Sequence, residues 1–158
     1  MSYRLPFRTI LANGVNTNGN VDGSVTPVNF QYAPPAGKYV EVTALEGIFG
    51  ANGSINNITD FLNIPALTNG IGVDIRTYGN NDFRPGAIKN NLNILQFTAG
   101  GFAEKAIGTL SLFIGRIDFV RPVILNAETG DYYRYIVSDN LTATSIINII
   151  ISGSIFTI

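Results

Sequence analysis

The chain has 158 residues, of which 46 % are hydrophobic and 13 % charged, with a net charge of −1 and no histidine or cysteine. Its ten basic residues are scattered, whereas a nucleic-acid partner requires clustered Lys and Arg. Disulfides, thiolate chemistry and histidine-based metal sites or general bases are excluded. The charged fraction is about half of the roughly 25 % that is typical of soluble domains. A surface with so little charge has two interpretations. Either a subunit or partner covers part of the surface, or Asn, Thr, Ser and Gly keep it soluble.

The N-terminal segment has a period-two pattern. Apolar side chains and Thr9 alternate with Arg4, Pro6 and Arg8, which is typical of a strand with one solvated face. Because Pro6 cannot donate a hydrogen bond, we predict an edge strand or a strand paired with a neighbouring molecule. The segment lacks an apolar stretch of signal-peptide length, so we expect no Sec-dependent export. Residues 1–24 are predicted to form an N-terminal strand or arm followed by a flexible loop.

Asparagine and glycine dominate residues 13–23, which predicts a loop. Asn16, Asn18 and Asn20 have the spacing of calcium ligands, but their amides replace the carboxylates that a hard cation needs. No bidentate Glu follows them. We therefore favour a flexible loop and predict no metal site.

The middle of the chain contains four predicted strands, which cover residues 28–32, 38–49, 71–76 and 92–97. Loops are predicted at Asn80-Asn81 and at Arg84-Pro85-Gly86. A short helix is predicted from Ser54 to Asn63, because Ser54 can cap it and apolar residues follow at helical spacing.

The last third contains three further predicted strands. The first runs from Leu110 to Arg121-Pro122, with a β-bulge or bend at Gly115, where the apolar phase changes. A turn at residues 127–130 precedes an aromatic strand, 132–138, and an isoleucine-rich strand, 143–158. We expect these two strands to close the core. The apolar tail is too short and too often interrupted to span a bilayer, so no membrane partner is predicted.

Eight predicted strands with almost no helix indicate an all-β protein. We predict one domain over residues 1–158, a single antiparallel two-sheet sandwich of jelly-roll type with at most one or two short helices.

No catalytic constellation is present. No spacing selects a pair among the carboxylates, and the serines lack a histidine base. Asp118 lies between Arg116 and Arg121, which predicts a solvated cross-strand ion pair. We predict that the protein is not an enzyme and has no catalytic, cofactor-binding or metal-binding residues. An enzyme hypothesis would require two carboxylates within about 10 Å in an open cleft.

Two segments carry a family resemblance. They are residues 35–42, PAGKYVEV, which lead into a long strand, and residues 129–141, TGDYYRYIVSDNL, which lead into the closing strand. Together with the His-free, Asn- and Gly-rich composition, they resemble the small jelly-roll virion proteins of tailed bacteriophages, especially capsid decoration or cement proteins. The likeness covers about a third of the chain. It implies a homotrimer or other symmetric cluster that contacts itself and the major capsid protein on the capsid surface. It also implies synthesis in the host cytoplasm and no cofactor.

Two functional hypotheses follow. The first is a virion structural protein that works by binding, with these candidate contact residues near the two termini: Tyr3, Leu5, Phe7, Ile155, Phe156 and Ile158. The alternative is a carbohydrate-binding, lectin-like module, for example a tail or receptor-binding component, which predicts exposed aromatic residues clustered at one loop end or sheet face. Tyr133 and Tyr135 share one strand face and Tyr132 takes the other, so we favour packing for these tyrosines. The absence of Trp also counts against the lectin hypothesis.

Overall fold

The computed structural model describes residues 5–11, 21–53, 57–78, 81–89, 102–107 and 110–157, which form β-strands and no helix. The strands are β1 (Leu5–Leu11), β2 (Val21–Asp22), β3 (Val28–Tyr32), β4 (Lys38–Asn52), β5 (Ile71–Thr77), β6 (Asn81–Ile88), β7 (Phe102–Ile107), β8 (Leu110–Asn126), β9 (Tyr132–Val137), β10 (Asn140–Leu141) and β11 (Thr144–Thr157). The all-β prediction is confirmed.

The strands form an antiparallel sandwich. One sheet has the order β1-β11-β4-β8-β7 and the other the order β3-β9-β5-β6, while β2 and β10 make a small separate ladder. When β2, β7 and β10 are set aside, eight strands remain. They pair as β1 with β11, β3 with β9, β4 with β8 and β5 with β6, so the strands pair in order from the two ends of the chain towards its middle. This nesting is a long antiparallel hairpin folded over into two Greek keys. The predicted jelly roll is therefore confirmed.

The core lies between the two sheets. The four-stranded sheet contributes alternate residues of β9 to it, namely Tyr133, Tyr135 and Val137. The five-stranded sheet contributes residues such as Ile149 and Ile151 of β11, and all of them belong to one buried cluster. β-Branched and aromatic residues dominate it, as suits pleated surfaces packed face to face.

The predicted helix at residues 54–63 is wrong over its described part, 57–63. Those residues form turns, and Phe61 and Ile64 exchange two backbone hydrogen bonds of 2.9 and 3.1 Å. Leu62 between them has a φ of +59°. The tight turn buries the adjacent Phe61 and Leu62 side chains completely in the core, whereas a short surface helix would bury one face only.

The loop predicted at Arg84-Pro85-Gly86 is also wrong, because these residues belong to β6 at the edge of the four-stranded sheet. A register shift opposite Asp74 leaves Arg84 and Pro85 unpaired with β5, so the proline needs no ladder hydrogen bond. The strand predicted at residues 92–97 lies outside the described residues. β7 was not predicted, because its sequence, FAEKAI, does not alternate in polarity.

β8 continues through Pro122 to Asn126, and the bulge predicted at Gly115 is wrong. Gly115 pairs regularly with Gly47, whereas residues 119–122 stand opposite Thr43 alone. Pro122, which cannot donate to the ladder, lies in that irregular stretch. The two predicted closing strands are present as β9 and β11, but they belong to different sheets. Residues 138–143 therefore cross from one sheet to the other.

Candidate interaction surface

The side of the five-stranded sheet that faces away from the core is the first candidate site. Paired residues of an antiparallel sheet lie on one face, so the registers of β1, β11, β4 and β8 identify its members. We call this surface the outer face; its main residues are Arg8, Tyr39, Glu46, Ile48, Leu112, Ile114, Arg116, Asp118, Ile146, Asn148, Ile150, Ser152 and Phe156.

One half of the outer face is mainly aliphatic, with one polar residue, Asn148, opposite Ile48. Ile48, Ile114 and Ile146 are partly exposed, while Ile150 is 5 % and Leu112 9 % exposed. A sheet that faces water on one side normally alternates apolar residues inward with polar residues outward. These five residues depart from that rule on three neighbouring strands.

A strip of charged residues crosses the middle of the outer face. Arg8 lies 3.5 Å from Glu46, Arg116 lies 4.0 Å from the same carboxylate, and Arg116 also pairs with Asp118 at 2.8 Å. The hydrogen bond that Arg116 donates to Asp118 holds the pKa of the Asp118 carboxyl below its usual value. The same contact raises the pKa of Arg116. Two arginines and two carboxylates leave the strip neutral. Asp118 thus pairs within its own strand rather than across strands as predicted.

An aromatic pair occupies the end of the outer face nearest the C-terminus. The rings of Tyr39 and Phe156 stack with centroids 4.6 Å apart and planes 1° from parallel. Beside them Lys38 Nζ donates to Thr157 Oγ1 at 2.6 Å. These contacts fix the last residues of β11 to β4.

The corresponding side of the four-stranded sheet is polar. Its described residues, identified in the same way, are Asn29, Gln31, Gly72, Asp74, Arg76, Tyr132, Arg134 and Ile136. Arg134 forms an ion pair with Asp74 and lies over the Tyr132 ring, 4.8 Å from its centroid. This side carries one partly exposed isoleucine, Ile136, among its described residues. The two sheets therefore present different chemistry to their surroundings.

The predicted contact residues divide into three groups. Tyr3 and Ile158 lie outside the described residues. Phe7 and Ile155 face inward and pack against the core, whereas Leu5 is 57 % exposed at the sheet edge and Phe156 lies on the outer face. A contact role for Leu5 and Phe156 stays a prediction. The aliphatic half of the outer face was missed, although apolar residues at both odd and even positions of β11 were a usable signal.

The tyrosines point in different directions. Tyr133 and Tyr135 are buried with their hydroxyls 3.4 Å apart, which confirms that they pack, while Tyr132 lies on the opposite face of β9. Burial raises the pKa of Tyr133 and that of Tyr135. Among the described tyrosines Tyr78 alone is largely exposed, at 69 %. The cluster of exposed aromatic residues that the lectin hypothesis predicts is not found in the described part of the chain.

The described residues contain no group of three or more acidic side chains placed to hold a metal ion. In the same part of the chain, no helix has the length and apolarity needed to cross a membrane. No family model, curated protein or solved structure matches this chain.

Proposed function

We propose that the protein is a structural protein of a virus particle, a capsid decoration or cement protein that works through protein–protein contacts. The observation that carries the proposal is the aliphatic half of the outer face, set against the polar outer side of the four-stranded sheet. The jelly-roll architecture, which recurs in capsid proteins, and the low charged fraction support it.

The outer face has the size that a subunit contact requires. From Ile146 to Phe156 it is about 34 Å long, and four strands make it about 19 Å wide. That is about 650 Å² in projection, close to the roughly 800 Å² per partner of a standard protein interface. Removing apolar surface from water contributes about 25 cal/mol per Å², less the cost of association.

A second copy of this chain is the occupant that the charges favour. The strip of Arg8, Glu46, Arg116 and Asp118 is neutral and alternates in sign, so two copies can meet without net repulsion. We expect a closed symmetric oligomer, with a homotrimer implied by the family resemblance. In a trimer the outer face of each copy contacts a different surface of the next copy. Contacts with the major capsid protein on the particle surface would then involve the parts of the trimer outside this interface.

The test is the solution mass of three proteins by light scattering. The wild type should have about three times the 17.0 kDa mass of one chain. Ile114→Asp, on the outer face, should be monomeric because a buried unpaired carboxylate destabilises an interface. Ile136→Asp is the matched control, a partly exposed strand isoleucine on the polar side, and should keep the oligomer. A monomeric wild type, or equal dissociation of both variants, would overturn the proposal.

A further inference from the structure

An open cleft of about 430 Å³ lies at one end of the sandwich, beside the start of β11. One wall is residues 64–68, which precede β5, and the other is residues 139–143, which connect β9 to β11. Its volume falls in the range of about 300 to 1,000 Å³ found for small-ligand sites. Binding sites on β-sandwiches are common where connecting loops meet at one end.

A fixed carboxylate stands in this cleft. Asp139 Oδ2 accepts hydrogen bonds from the backbone N–H groups of Asn69, at 2.8 Å, and of Gly70. The Asn69 side chain donates in turn to the carbonyl oxygen of Ser138 at 3.1 Å. These bonds connect Asn69 and Gly70, which follow the first wall, to Ser138 and Asp139 at the start of the second wall. They orient the Asp139 carboxylate before any ligand binds.

The remaining polar groups favour a neutral ligand with hydroxyls. Thr142 Oγ1 donates to Asn140 Oδ1 at 2.6 Å, so its oxygen is oriented to accept a further hydrogen bond. Lys89 Nζ donates to the carbonyl oxygen of Thr68 at 2.8 Å, which places a positive charge beside the cleft. The charges of Lys89 and Asp139 sum to zero, so these two groups give the cleft no net charge.

The other side of the cleft is apolar, and it includes Ile64 and Pro65. A surface of aliphatic groups opposite a carboxylate and hydroxyls suits a ligand with both C–H faces and hydroxyl groups. We propose that this cleft binds a neutral saccharide. The Asp139 carboxylate and Thr142 accept its hydroxyl hydrogen bonds, while Ile64 and Pro65 pack against its C–H face.

The first test uses the whole chain on an array of neutral, anionic and amine-bearing oligosaccharides. Ala143→Trp fills the cleft from an exposed turn position, and Ala36→Trp makes the same change in an exposed turn at the opposite end of the sandwich. The wild type and Ala36→Trp should bind a set of neutral glycans, and Ala143→Trp should lose that binding. Absence of wild-type binding, equal binding by Ala143→Trp, or preference for amine-bearing glycans would overturn the proposal.

A second variant tests the carboxylate with less risk to the fold. In Asp139→Asn the amide oxygen can still accept the N–H groups of Asn69 and Gly70, but the charged acceptor is lost. Affinity for the best array glycan, measured by calorimetry, should fall by about tenfold or more. Unchanged affinity would contradict the role of Asp139. The monomeric Ile114→Asp variant leaves the cleft intact, so failure of saccharide binding and failure of the proposed function give different results.

Discussion

Phe7 of β1 and Tyr32 of β3 meet across one edge of the sandwich, with ring centroids 4.9 Å apart and planes tilted by 43°. β1 belongs to the five-stranded sheet and β3 to the four-stranded sheet, so this contact joins the two sheets. The ladder of β1 with β11 is continuous from Leu5 to Leu11. The described part of the N-terminal segment is therefore the edge strand of the five-stranded sheet, where Pro6 was expected.

Truncation of Phe7 should consequently destabilise the fold. Phe7→Ala removes an aromatic contact and apolar burial between the sheets, so we expect a loss of about 2 kcal/mol in the free energy of unfolding, less than for a fully buried Phe. Leu5→Ala, at an exposed position of the same strand, should change it by less than about 0.5 kcal/mol. Urea denaturation measures both. Equal effects of the two variants would contradict a sheet-joining role for Phe7.

Gly153 is required by the close approach of β11 to β4 at a bulge. A Cβ at this position would lie 1.9 Å from the carbonyl oxygen of Glu41, which is backbone and cannot rotate away. Gly153→Ala should cost about 2–3 kcal/mol of stability or more. At Gly72 the nearest atoms to such a Cβ are 3.8 Å away, so Gly72→Ala should be neutral or stabilise by about 0.5 kcal/mol. Similar thermal unfolding of both variants would rule out this account of Gly153.

Asp131 joins the ends of two strands. Its side chain is 1 % exposed, and Oδ2 accepts 3.0 Å hydrogen bonds from the backbone N–H groups of Tyr78 and Asn126. Asp131→Ala would leave these donors without that acceptor, so we expect a loss of about 2–4 kcal/mol. Asp131→Asn should cost less because an amide oxygen can accept both bonds. Asp118→Ala, which breaks an ion pair exposed to solvent, should cost much less than Asp131→Ala. Guanidinium denaturation that ranked Asp118→Ala as the more damaging would contradict this assignment.

Stability should depend on pH in the alkaline range through the buried tyrosines. Burial raises the pKa of Tyr133 well above the ordinary value of 10.0, and it also raises the pKa of Tyr135 above that value. At alkaline pH the folded state thus binds more protons than the unfolded state. The free energy of unfolding should hold steady below about pH 10 with respect to these groups and fall as the pH rises further.

Urea denaturation at several values between about pH 8 and pH 11 measures this dependence. Tyr133→Phe removes one of the titrating groups, so its stability should fall less steeply above pH 10 than that of the wild type. Parallel curves for the two proteins would show that Tyr133 does not contribute to the alkaline loss.

Sequence patterns gave the fold class because alternation is strong where one strand face is buried. Ile71, Val73 and Ile75 in β5 show this, and so do Val40 and Val42 in β4. Patterns failed where tertiary packing decided the local structure. The turn that buries Phe61 and Leu62 contains apolar residues at helical spacing, and β6 tolerates Pro85 only because of an edge bulge.

The candidate sites were harder to predict. The apolar phase changes along β8 without a bulge at Gly115, because Leu112 and Ile114 lie on the outer face whereas Ile117 pairs with the inward Leu45. The cleft depends on residues 64–68 and Asp139, which are more than 70 positions apart at their extremes. Single-sequence patterns do not report such long-range juxtapositions.

The most direct test of the outer face as a subunit contact exploits the absence of cysteine from the chain. Ser152→Cys places a conservative thiol on the outer face, and Gln31→Cys places one on the polar side of the other sheet. Maleimide labelling is followed by mass spectrometry at high and low protein concentration. The proposal predicts that Ser152→Cys is labelled more slowly at high than at low protein concentration, whereas the labelling rate of Gln31→Cys does not change. Adding Ile114→Asp to Ser152→Cys should remove this difference. Labelling of Ser152→Cys at the same rate at both concentrations, in a wild type shown to be oligomeric, would contradict it.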